Sequence, residues 1–135
     1  MINLINYLNK ISKTFNCKTI LTDCFAYDGN HNIIYIGHPA SACHVDLLLF
    51  ARDHGLNKEV SAFTFCFFHE LGHHETINKV TKVEDKEGIS KEEYFNLQEE
   101  FLATEWAIDY CNKHMGIVLN IQKMAAALSV SSDDI

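Results

Sequence analysis

The stretch FCFFHELGHHE, Phe65 to Glu75, sets two histidines and a glutamate at a spacing that can hold a metal ion. His69 and His73 are four residues apart, so on a helix they leave one face a single turn apart and two imidazoles can converge on one ion. Glu70 sits beside that face, close enough to reach a water at the metal without displacing it. Imidazole nitrogen combined with carboxylate suits Zn2+. Zinc lowers the pKa of its water to roughly 7, and Glu70 as general base would take the proton as that water attacks a polarised carbonyl. The same carboxyl would then hand the proton to the leaving amine. Gly72 in mid-helix costs about 1 kcal/mol against alanine, which predicts close approach of a neighbouring element.

A catalytic zinc usually has three protein ligands. The extension H-x-x-G-x-x-H fails here, because Thr76 and Lys79 stand at its glycine and final histidine positions. A downstream glutamate is the alternative, and LQEEFLATEWAIDY supplies two candidates, Glu100 and Glu99. Glu100 shares a helical face with Ala103, Thr104, Ala107 and Cys111, small neighbours that would let this helix lie close to the histidine helix. Glu99 falls instead among Phe95, Leu102, Trp106 and Tyr110, which read as the core stripe. Both stay open on spacing alone.

These side chains need elements to hold them. Ile2, Ile5, Leu8, Ile11 and Phe15 recur at helical spacing, which predicts an amphipathic first helix. KTILTDCFAYDGNHNIIYIG reads as two β-rich runs around Asp28-Gly29-Asn30, a hairpin signal, and His38-Pro39 ends the second run. NIIYIG reads either as an edge that receives an extended peptide by strand addition or as a covered core strand. Helical spacing resumes from Ser41 to about His54, with Gly55 as its stop. A third helix spans Asn57 to Glu75, with Phe63, Phe65, Phe67 and Phe68 pointing nearly all round it, so it should be the buried central helix. After a polar segment, Ser90 and Glu93 form a capping box that opens a fourth helix running to about His114, and Asn120 caps a last one.

With 135 residues, residues 1–135 read as one domain, with 47% apolar and 21% charged composition ordinary for a globular α+β fold. A formal charge of -7 opposes binding to a phosphate backbone, so no direct nucleic-acid contact is expected. The N-terminus lacks the pattern of a secretory signal, and no window approaches the roughly 18 apolar residues of a membrane helix. Five cysteines without C-x-x-C spacing read as reduced thiols of a cytoplasmic protein. Cys66, one turn before His69, reads as a small buried filler and His74 as an exposed residue. Tyr35, His38, Tyr94 and Tyr110 are candidates for stabilising the oxyanion of a transition state.

FFHELGHHE followed by EFLATEWA resembles the ImmA/IrrE-like zinc metallopeptidases, a gluzincin-type family whose third-ligand helix carries Glu-x-x-Ala-Asp/Asn-x-Phe-Ala. Glu100, Ala103, Trp106 and Ala107 match that pattern, with Trp in place of Phe. The resemblance spans roughly residues 18 to 115 and favours Glu100 over Glu99. Thr104 stands where the family has the Asp or Asn that orients a ligand histidine through its second ring nitrogen; threonine can still donate or accept one hydrogen bond. The resemblance implies a small zincin-like domain, with a short antiparallel sheet packed on helices, that hydrolyses peptide bonds. His69, His73 and Glu100 would hold Zn2+ and Glu70 would act as base. Members are typically cytosolic bacterial or phage enzymes that cut helix-turn-helix repressors, so the implied partner is a protein substrate of that kind. The alternative expectation is a zinc-containing adaptor or antitoxin-like module that keeps the site but hardly turns over.

Overall fold

The computed structural model describes residues 1–39, 44–82 and 84–133. Among them the architecture is α+β, with six α-helices around a three-stranded sheet. Helix α1 (Ile2–Lys13) buries Leu4, Leu8 and Ile11 and leaves Ile2 at the surface. Its Ser12 and Asn9 fix the start of strand β1 (Lys18–Leu21): Thr19 donates its hydroxyl to Ser12 at 2.8 Å and its N–H to Asn9 at 3.0 Å. Strands β2 (Ala26–Asp28) and β3 (Ile33–Ile36) form the expected antiparallel hairpin.

The sheet is mixed rather than purely antiparallel. Its order is β1-β3-β2, with β1 parallel to β3. The first β-rich run breaks at Thr22, whose hydroxyl donates to the Cys24 carbonyl at 2.9 Å and accepts the Cys24 N–H at 3.3 Å. Such local bonds compete with a ladder, so the run yields two strands and the chain turns back before β2. Strand β3 then inserts between them. NIIYIG is therefore the central, covered strand, and Ile34 and Ile36 are fully buried.

Helix α2 spans Val45–Asp53, ending ahead of Gly55 at φ +101°; the expected start at Ser41 lies outside the described residues. Helix α3 spans Ala62–Thr76 and is the buried centre, with Phe63, Phe65, Phe67, Phe68 and Leu71 all inside. It begins later than the spacing predicts. The Asn57 side chain takes the Glu59 N–H at 2.8 Å, and the Asn57 N–H is itself taken by Asn112, so 57–60 form a turn against the end of a later helix. A 3₁₀ turn, Ile77–Lys79, follows α3.

The capping box is present: Ser90 accepts the Glu93 N–H and Glu93 accepts the Ser90 N–H. The helix it opens is only α4 (Lys91–Phe95), and a break at 96–97 separates it from α5 (Gln98–Lys113). At the break Asn96 caps α4 by donating its side-chain amide to the Glu92 carbonyl at 2.8 Å. Helix α6 (Met115–Asp133) starts before Asn120, which sits inside it and donates to Tyr7 at 3.3 Å. Val118 and Ile121 join α6 to the core cluster. No helix among the described residues is long and apolar enough to cross a membrane.

Candidate metal centre

Helices α3 and α5 lie unusually close. A Cβ built on Gly72 would stand 2.4 Å from the Ala103 carbonyl oxygen, so only glycine permits this crossing. The face of α5 turned to α3 is the small-residue one: Ala103, Thr104, Ala107 and Cys111 are buried, while Leu102, Trp106 and Tyr110 sit at intermediate depth on the flank. The aromatic stripe is thus not the innermost face. Glu99, which lies on its side of the helix, points outward to Lys86 at 2.7 Å, whereas Glu100 points into the crossing.

The crossing brings three side chains together. Glu100 Oε1 lies 3.1 Å from His69 Nε2 and 3.2 Å from His73 Nε2. The ligand-capable atoms of His69, Glu70 and His73 all fall within 4.8 Å of one another. Glu70 is closest to the pair in sequence, but among the described residues only Glu100 puts one oxygen against both imidazole nitrogens. A tetrahedral ion with bonds of 2.0–2.1 Å has edges of roughly 3.3–3.4 Å, so the two observed separations suit a His-His-Glu set. Thr104 Oγ1 lies 3.2 Å from His69 Nδ1, the place of the orienting side chain. His73 is steadied differently, by Tyr27 of β2 stacked parallel to it at 6.4 Å.

The electrostatics are those of a buried acid between two bases. Burial favours the neutral Glu100 carboxyl, but hydrogen bonds from His69 and His73 and their charge outweigh it and hold the group well below the usual carboxylate range. Burial likewise works against a charged His73, yet the Glu100 carboxylate raises its pKa. A cation in place of these protons would meet the same negative oxygen.

One side of the centre opens into a cavity of about 570 Å³. His69, Glu70 and Glu100 line it together with Phe25, Val45, Leu47, Cys66, Tyr94 and Phe95. Of the four oxyanion candidates, Tyr94 is the one on this wall. Tyr110 is stacked instead between Trp106 and His114. A Lys91–Asp46 ion pair ties α4 to α2 at the rim. Cys66 is buried, as the spacing predicts.

His74 is not the exposed residue the sequence reading expected. Its Nδ1 meets the Tyr27 hydroxyl at 2.8 Å and its Nε2 donates to the Phe15 carbonyl at 2.8 Å, so it ties α3 to β2 and to the end of α1. Gln98 also escaped that reading. Its side-chain oxygen accepts the N–H groups of Thr81 and Lys82 at 2.7 and 2.8 Å, and its own N–H donates to Glu84 at 2.8 Å, which pins the segment after α3 onto the start of α5. Neither role carries a periodic signal.

No protein-family model matches this chain, and no curated protein or solved structure is significantly similar to it.

Proposed function

We propose that this chain is a zinc-dependent metallopeptidase of the ImmA/IrrE-like kind, acting on a protein substrate. The observation that carries the reading is the convergence of His69 Nε2, His73 Nε2 and Glu100 Oε1 beside Glu70 at the wall of an open cavity. His69, His73 and Glu100 would hold the ion. Zinc bound there would supply Lewis acidity, polarising a carbonyl and acidifying a water. Glu70 accepts the proton of the attacking water and returns it to the departing amine, a role that metal holding alone does not require. Thr104 Oγ1, 3.2 Å from His69 Nδ1, would accept from Nδ1–H and so leave Nε2 available to hold the ion. The apolar wall from Phe25, Leu47 and Phe95 would pack against the apolar groups that flank the reacting bond. By the resemblance of FFHELGHHE and EFLATEWA, the substrate is a cytosolic helix-turn-helix repressor and the chain is cytoplasmic.

The test is metal content of the purified chain together with cleavage of a co-expressed repressor of that type. One zinc per chain and cleavage are expected, and Glu70→Gln should keep the zinc while losing at least about a hundredfold in rate. A chain that takes up no zinc sinks the reading. Zinc retained with no cleavage of any candidate moves the balance to a binding module.

A further inference from the structure

We propose that Lys86 is a positioning residue for Glu100, holding the outer carboxylate oxygen so that only Oε1 faces the histidine pair. The inference rests on the reading of His69, His73 and Glu100 as the metal-holding set. A carboxylate has two oxygens, and a free one can swing in to clasp an ion in bidentate fashion, filling the open position a catalytic site keeps. Here Oε1 is shared by the two imidazoles, while Oε2 faces Lys86 Nζ at 3.4 Å. The same ammonium contacts Glu99 Oε1 at 2.7 Å and lies 5.4 Å from the centroid of the Tyr94 ring. Adjacent helical residues do not face each other, so a cation from another segment is needed to draw both carboxylates toward one point. That segment is the one Gln98 pins through Thr81, Lys82 and Glu84, so the placement of Lys86 is built into the fold. An exposed ion pair with Glu99 contributes little to stability by itself. The consequential end is the buried one, at Glu100. Glu99 thereby acts through Lys86, as its anchor.

The experiment compares wild type with Lys86→Met, which keeps the stem and removes the charge, and Lys86→Arg, which restores a donor. Zinc affinity is measured by competition with a chromophoric chelator, the coordination sphere by the visible spectrum of the Co2+-loaded chain, and the fold by circular dichroism. Lys86→Met should show weaker visible cobalt bands, as a four-coordinate set gains a fifth donor, and keep its helicity; Lys86→Arg should restore the wild-type bands. The coordination readout is the diagnostic one, because a second carboxylate oxygen on the ion and the loss of a nearby positive charge would each tighten a dication. A cobalt spectrum of Lys86→Met identical to wild type overturns the proposal while leaving the metal site standing. A wild-type chain that binds no zinc overturns the site and this inference together. Should Lys86→Met not fold, Glu99→Gln removes the 2.7 Å anchor and leaves Glu100 intact; a smaller spectral change of the same kind is expected, and a wild-type spectrum overturns the idea.

Discussion

Gly72→Ala separates two opposed effects whose sizes follow from the crossing of α3 and α5. Alanine in a helix interior is favoured over glycine by about 1 kcal/mol, so on propensity alone the variant would be more stable. Its Cβ, however, would sit 2.4 Å from the Ala103 carbonyl oxygen, and ordinary contact begins near 3.4 Å. The obstacle is backbone, not the end of a flexible side chain, so α5 must retreat by about 0.6 to 1 Å. Overpacking of this kind costs roughly 1–3 kcal/mol, which leaves a net loss of about 0–2 kcal/mol once propensity is subtracted. The larger effect falls on the site. Glu100 is nearly one turn before Ala103 and Thr104 follows it directly, so the retreat pulls the acid from the imidazoles and the hydroxyl from His69 Nδ1. A displacement near 1 Å at a reacting centre can lower a rate about a hundredfold. Thermal unfolding with and without zinc, alongside zinc titration, reads both parts: a modest fall in Tm without metal and a zinc-induced gain in Tm much smaller than in wild type. A Gly72→Ala chain that is more stable than wild type and binds zinc as tightly would refute the argument that glycine is there for close approach.

Two further outcomes follow from the structure. Thr104→Val keeps the shape of the side chain but leaves His69 Nδ1 without its 3.2 Å partner, and isothermal titration should show zinc binding weakened about 10–100-fold with stability lowered by about 1–3 kcal/mol. Burial pushes the thiol of Cys17 up to about 11 and that of Cys111 up to about 12, from an ordinary 9.0. A raised thiol pKa means the neutral form is preferred in the folded chain, so the contribution is fully present below about 9 and is lost as pH rises toward 11–12. Alkylation of the native chain near pH 8, mapped by mass spectrometry, should spare Cys17 and Cys111 and modify the exposed Cys24; rapid labelling of Cys111 would contradict its burial.

What the sequence made legible was local or periodic. The histidine spacing, the glycine between them, the aromatic central helix and the Ser90 capping box are each set within a turn or two of chain, and the structure places them as expected. Strand order was not legible. The hairpin around Asp28-Gly29-Asn30 is a local matter, but the insertion of β3 beside β1 depends on a turn at Thr22–Phe25 made by side-chain bonds that leave no pattern in hydrophobicity. The same holds for Tyr27 with His74, and for Gln98 and Lys86 with the start of α5, where partners from distant segments meet through single polar atoms.

The choice between Glu99 and Glu100 shows why a hydrophobic stripe can point the wrong way. Leu102, Trp106 and Tyr110 carry most of the apolar area on α5, and a count of apolar surface turns that face inward. Large side chains, however, set a wide separation between helices, typically 8–10 Å according to the residues at the contact. Gly72 on α3 removes the obstacle on one side, and a face made of Ala103, Thr104, Ala107 and Cys111 removes it on the other. Two small faces can then meet backbone to backbone, and the aromatics move to the flanks, where Trp106 meets Phe15 and Tyr110 meets Phe68. It is the closest crossing, not the most apolar stripe, that decides which acid is buried. A mid-helix glycine in one element together with a small-residue face in the next is therefore the pattern that accompanies the burial of Glu100; spacing alone leaves it level with the aromatic stripe, because the two faces carry opposite cues.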